Sequence, residues 1–166
     1  MTFCCNNVYE VLCKSKDLST LKSLVDLAGL QCNLKNLKCS TLFAPTNAAL
    51  AATDPALVAY LTAPANRQLL RNVLLYHITN KPYTTGELQP SLVLTMANSK
   101  RVVVYRALYY DWVPVLQDET QDRWDVIEGN IATKCNNYVQ KINGLMRPEV
   151  IYYPKVLNPR NEPGTF

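Results

Sequence analysis

The apolar residues of this 166-residue chain change their spacing near residue 76, and that change decides its architecture. Upstream they recur three and four apart, as one face of a helix requires. Downstream they alternate and are rich in β-branched and aromatic types, as half-buried strands are. Helices first and strands afterwards must pack on one another, which gives an α+β domain. Apolar residues make up 48% of the chain, enough for a core, and the length fits one domain better than two. We expect that domain over residues 1–159, with 160–166 a polar tail or linker.

Local signals divide the two halves further. Asn6 or Asn7 can cap a helix with Val8, Val11 and Leu12 on its apolar face. Asp17 heads a second, with Leu18, Leu21, Val25 and Ala28 at helical spacing, and Gly29 stops it. Residues 30–40 read as a connection. Residues 41–44 are a short buried strand that Pro45 ends, after which Thr46 or Asn47 starts a helix. Asp54-Pro55 and Pro64 open two more, the latter carrying Leu69, Leu70, Val73 and Leu74. Strands are expected at 76–79, 93–96, 101–105, 113–116, 124–127 and 150–153, with turns at 98–100 and 128–130.

The cysteines are Cys4, Cys5, Cys13, Cys32, Cys39 and Cys135, five of them within the first 39 residues. None forms a C-x-x-C pair, and a single histidine leaves little for zinc. An even number in a domain this size predicts disulfides and an oxidising compartment. Cys32 and Cys39 are the best local pair. If all six pair, Cys135 must tie back to Cys4, Cys5 or Cys13. The first residues have neither the basic start nor the apolar run of a secretory leader, so we expect a domain of a longer protein. The stretch 39–53 is nearly uncharged, but it holds Pro45 and several polar residues and makes no bilayer helix.

Charge is uneven. Residues 111–128 hold six acids and one base, which leaves sixteen bases and seven acids elsewhere, a local balance of +9. Such a surface can attract acidic polysaccharide. The bases are scattered, with no long run and no aromatic-flanked nucleic-acid motif, so no nucleic-acid partner is expected.

Three ordered segments carry a family resemblance. Residues 41–50 read TLFAPTNAAL, 74–78 read LLYHI, and 142–145 read INGL, followed by Val150-Ile151 and by KVLNP at 155–159. Together they resemble the conserved blocks of the fasciclin family, with Thr41, Phe43, Pro45, Thr46, Asn47, Tyr76, His77, Asn143 and Gly144 as the matching positions. The resemblance implies N-terminal helices packed on a mainly antiparallel β wedge or sandwich. It also implies an extracellular adhesion or matrix-binding module that contacts protein, polysaccharide or a cell surface, with homotypic contacts as one possibility. A small apolar-ligand carrier is the alternative. Some animal members use the tyrosine-histidine motif in integrin binding, and Tyr76-His77 matches it. Two departures stand out. The last block has Arg147-Pro148-Glu149 and Tyr152 around its Val-Ile pair, where the family places a histidine and an aspartate. A hairpin or lobe at about 105–126 is also enlarged.

That lobe holds Tyr109, Tyr110, Trp112 and Trp124, too many aromatics for one strand face, and so a candidate contact surface. Asp118, Glu119, Asp122 and Asp125 offer oxygens to a cation, but at no EF-hand spacing. The sequence has no nucleophile elbow, phosphate loop or zinc-protease motif, and His77 stands on an apolar helix-to-strand junction. We therefore expect no enzyme, no cofactor and no resident metal.

Overall fold

A computed structural model describes residues 7–106, 113–133 and 135–153. Six helices come first: α1 Val8–Lys14, α2 Ser19–Ala28, α3 Gln31–Lys35, α4 Asn47–Ala52, α5 Pro55–Thr62 and α6 Arg67–Leu75. β1, Thr41–Pro45, lies among them. β2 Ile78–Thr79, β3 Val93–Thr95, β4 Arg101–Arg106, β5 Pro114–Gln117, β6 Arg123–Thr133 and β7 Asn137–Ile142 follow. The seven strands form one sheet in the order β2-β1-β7-β6-β5-β4-β3. Every pairing is antiparallel except β1 with β7. The two ends of the sheet nearly meet. Thr79 bridges Met96, the Ala97 amide donates to the Ile78 carbonyl at 2.7 Å, and the Thr79 hydroxyl donates to the Thr95 carbonyl at 3.0 Å.

β1 shows how the halves join. All five of its residues are buried because both faces are covered. Leu42 and Ala44 enter a cluster with helical Leu12, Leu21, Leu57, Leu70 and Val73. Phe43, on the opposite face, enters the sheet interior with Leu94, Val102, Leu116, Val126 and Ile142. Burying each such leucine stabilises the fold by roughly 2 kcal/mol relative to exposure.

Three helices are capped as the local chemistry predicts, whereas Pro64 opens only a 3-10 turn, Pro64–Asn66, after which α6 starts at Arg67. Asn7 accepts from the Glu10 amide at 2.9 Å, Thr46 from Ala49 at 3.2 Å and Asp54 from Ala56 at 2.9 Å. Gly29 closes α2 at φ 71°, the left-handed conformation that only glycine adopts freely. Asp17 is not a cap. It lies in a 3-10 turn, and its carboxylate meets Lys141 at 2.8 Å.

Other expectations need correcting. Of residues 76–79 only Ile78 and Thr79 are strand, since Tyr76 and His77 form the turn that ends α6. The connection 30–40 contains α3, short and anchored by Leu34 alone. Residues 128–130 are not a turn but the bulged middle of β6, where the register shifts twice and Asn130 takes φ 60°. A Cβ at Gly129 would lie 2.3 Å from Gln140 Oε1 and 2.4 Å from Thr85 Cγ2, so a larger residue there would displace one or both side chains. Residues 150–153 form no strand, and β7 takes the closing position instead. Finally, no disulfide forms among the described cysteines. Cys13, Cys32, Cys39 and Cys135 are free thiols, so the expected Cys32–Cys39 pairing is absent, and Cys32 lies in the first turn of α3. Cys4 and Cys5 lie outside the described residues.

Within the 105–126 stretch the described residues include β5, which pairs with β4 on one side and β6 on the other.

Candidate functional site

Two of the family-motif residues, Tyr76 and His77, lie where α6 ends, and His77 meets the segment that follows β7. α6 presents Leu70, Val73 and Leu74 to the helical core, and its C-terminal turn places Tyr76 and His77 inside the protein, both fully buried. The His77 ring has two committed nitrogens. Nε2 lies 3.1 Å from the Met146 amide, which can only donate. Nδ1 therefore carries the proton and donates to the Val73 carbonyl at 2.7 Å. Burial pulls the His77 pKa down from 6.5 to about 4, against the opposing pull of the Val73 carbonyl and Asp118. The ring is neutral at physiological pH and has no free edge for a substrate.

The Tyr76 hydroxyl is also used twice. It donates to the Arg101 carbonyl at 2.6 Å and accepts from the Glu119 amide at 3.1 Å. Burial is the main reason its pKa is pushed well above the ordinary tyrosine value, with the charges of Asp118 and Glu119 adding to it.

Asp118, 3% exposed, organises the neighbouring turn. One carboxylate oxygen accepts from the Thr120 amide, the Thr120 hydroxyl and the Asp122 amide at 2.9, 2.7 and 3.1 Å. The other accepts from Trp124 Nε1 at 3.2 Å and the Arg147 amide at 3.1 Å. A buried carboxylate with five donors is a structural node. Asp122 pairs with the Arg147 guanidinium. Asp125 exchanges hydrogen bonds with Asn143, and Glu119 accepts from the Arg101 amide at 3.2 Å. The four acids that could offer oxygens to a cation are thus engaged by protein donors, Asp118 and Asp122 sharing Thr120 and Arg147. Among the described residues no group of three acids, cysteines or histidines could hold a metal.

The remaining motif positions are fold positions too. The Thr41 hydroxyl donates to the Lys81 carbonyl at 2.8 Å and accepts from the Tyr83 amide at 2.7 Å. Pro45 ends β1. Asn47 reaches back to the start of α2, accepting from Thr20 at 2.9 Å and donating to Ser19 Oγ and the Lys16 carbonyl. Gly144 lies under the Trp124 ring, where a Cβ would come within 2.0 Å of Cε3.

Of the candidate contact aromatics, Tyr109, Tyr110 and Trp112 lie outside the described residues. Trp124 is half-buried, with its indole on Gly144 and its N–H on Asp118. It also walls a pocket of about 230 Å³ together with Ala49, Ala52, Leu57 and Leu145. The polar lining is already engaged: the Tyr153 hydroxyl donates to Asp54 at 2.5 Å, and Arg147 holds Asp122. Drug-sized ligands usually occupy roughly 300 Å³ or more. Neighbouring Arg123 stacks over the Tyr105 ring, 4.8 Å from its centroid.

Sequence reasoning missed Asp118 and Arg147 as a latch between the β5–β6 turn and the segment after β7. The signal was present: Arg147 is where the chain departs from the family pattern, and Asp118 belongs to the acidic stretch 111–128.

A model of the fasciclin domain matches residues 16–148. Protein sll1483 of Synechocystis is 33% identical over 90 residues, covering 54% of this chain and 50% of that protein. A solved FAS1 domain pair from the insect cell adhesion molecule fasciclin I superposes at TM-score 0.72 and 16% identity, over 85% of this chain and 50% of the other. The chain spans half the length of each of these two relatives. At that identity, the structural likeness establishes the fold alone.

Proposed function

Since the chain belongs to the fasciclin domain family, we propose that it is an adhesion module acting outside the cell by noncovalent contact with protein or polysaccharide. The family match over residues 16–148 carries this reading. Fasciclin domains are generally non-catalytic and are associated with adhesion. The solved domain pair comes from a cell adhesion molecule. The engagement of both His77 nitrogens supports the same view, because the one histidine is not available as an acid or base.

The contact surface in this reading is the β4–β5 connection with Tyr109, Tyr110 and Trp112, not the tyrosine-histidine motif. Tyr76 and His77 have no exposed surface to offer a partner. Tyrosine and tryptophan provide large contact areas at small entropic cost, and the basic remainder of the chain favours acidic partners. No helix among the described residues is long and apolar enough to cross a membrane. A small apolar-ligand carrier is the second reading, supported by the pocket beside Trp124, whose size limits it to small molecules.

The deciding experiment immobilises the domain and measures cell attachment and glycan-array binding, for the natural chain and for Tyr109→Ala/Tyr110→Ala/Trp112→Ala. Binding that falls at least tenfold in the triple variant, with an unchanged unfolding midpoint, supports the proposal. No binding by the natural chain, together with a co-purified small molecule, would favour the carrier.

A further inference from the structure

Cys39 and Cys135 are 96 positions apart in sequence but adjacent in the fold. The Cys39 amide donates to the Cys135 carbonyl at 3.0 Å. A single backbone N–H···O=C bond of this length keeps the Cα atoms of its two residues within roughly 7 Å, since the bonds linking them span little more. Disulfides span Cα separations of roughly 4.4–6.8 Å, so this pair is close enough to be bridged.

The adjacency is held from both sides. One step on, the Ser40 amide donates to Asn137 Oδ1 at 2.9 Å, and the Tyr138 amide donates to the Ser40 carbonyl at 2.9 Å. The fully buried Asn137 also donates through Nδ2 to the Leu37 carbonyl at 2.8 Å. The parallel register of β1 with β7 then continues from Thr41 opposite Tyr138. Residues 37–40 and 135–138 are thereby locked side by side before any covalent bond is made. Two left-handed residues, Cys39 at φ 52° and Asn136 at φ 55°, turn the chain at this point. Cys39 is exposed and Cys135 half-buried, so a small reagent in solution reaches the pair.

We infer that Cys39 and Cys135 form a disulfide when the folded chain meets a low-molecular-weight disulfide such as oxidised glutathione. The thiolate of exposed Cys39 attacks the oxidant, forming a mixed disulfide and expelling one small thiol. The Cys135 thiolate then attacks the Cys39 sulfur and expels the second. Two protein thiols become one disulfide, and the two electrons and two protons leave on the two small thiols. The bond fastens the start of β1 to the β6–β7 turn, across the one parallel pairing of the sheet.

Trypsin separates the cysteines cleanly. Cys39 falls in the peptide 39–67 and Cys135 in 135–141, whereas Cys32 is in 23–35 and Cys4, Cys5 and Cys13 are in 1–14. The folded chain is equilibrated with oxidised glutathione, alkylated, digested and analysed by mass spectrometry. The expected product is 39–67 joined to 135–141, released by dithiothreitol. Closing so long a loop should also raise the unfolding midpoint by about 10 °C. That rise should be absent in Cys39→Ser and in Cys135→Ser. Linkage of either cysteine to 1–14 or 23–35 would overturn the inference. So would recovery of both as alkylated or glutathione-capped thiols, or a midpoint that falls on oxidation.

Discussion

Beneath the helices the core is aliphatic, built from Val8, Leu12, Leu21, Leu57, Leu70, Val73 and their neighbours. Inside the sheet the corresponding space holds Phe43, Tyr76, Met96 and Met146, bordered by buried His77, Gln140 and Asp118. The first region is held by shape and volume, which side chains of similar size can reproduce. The second depends on particular donors meeting particular acceptors, each of which is costly to leave unpaired. The helices supply most of the burial, while the polar interior selects one arrangement of the strands.

The strongest way to break this contrast is Asp118→Ala. It strands the Trp124 indole N–H and the Arg147 amide along with three turn donors, and should cost about 4 kcal/mol in urea unfolding followed by Trp124 fluorescence. A loss under about 1 kcal/mol would mean that water replaces the carboxylate without penalty.

Acid tests the same interior more gently. His77 has a folded pKa near 4 against 6.5 for the free side chain, so the unfolded chain takes up a proton first as pH falls. Stability is fully present above pH 6.5 and declines as pH drops toward 4, by about 3 kcal/mol, and this contribution changes no further below that. Urea midpoints at pH 7, 5.5 and 4.5 should show a slope that His77→Gln reduces. An equal slope in both proteins would assign the acid response to carboxylates alone.

The smallest effect belongs to the helical side. Leu70→Met keeps volume and polarity and should cost less than about 1.5 kcal/mol by the same urea measurement. A larger loss would show that the aliphatic core is as exacting as the sheet interior.

The same contrast explains what could be read from the sequence. Helices with an apolar stripe, the capping residues Asn7, Thr46 and Asp54, and β1 with its terminal proline were all legible, because their signals are local. β7 was not. Its residues Asn137, Gln140 and Lys141 are polar yet buried, and they obscure the alternation that marks a strand. Their partners are remote: Asn137 meets Leu37, Gln140 meets Tyr83, and Lys141 meets Asp17 and Glu128. A pattern scan sees only the polarity, since the compensation is tertiary. Residues 150–153 failed in the opposite direction, being strand-like in composition but without a neighbouring strand, with Val150 and Tyr152 exposed. Glycine and asparagine at 129–130 announced a departure from regular backbone, and the bulge they make in β6 is one of the two forms that departure takes. At the site, the residues that carry the resemblance pack, cap and exchange hydrogen bonds within the fold, which their motif alone does not tell.

The near-meeting of β2 and β3 bears on how such domains behave side by side. An open sheet offers its outermost strand as a template, and crowded copies can zip together through their backbones. Here the Ile78 and Thr95 carbonyls are already taken across the gap. Strand-on-strand recruitment, whether by a neighbour in a concatenated array or by an extended peptide, finds little free ladder at this seam. Contacts between such units would then be made by side chains, so substitutions on the surface could retune them without reworking the sheet.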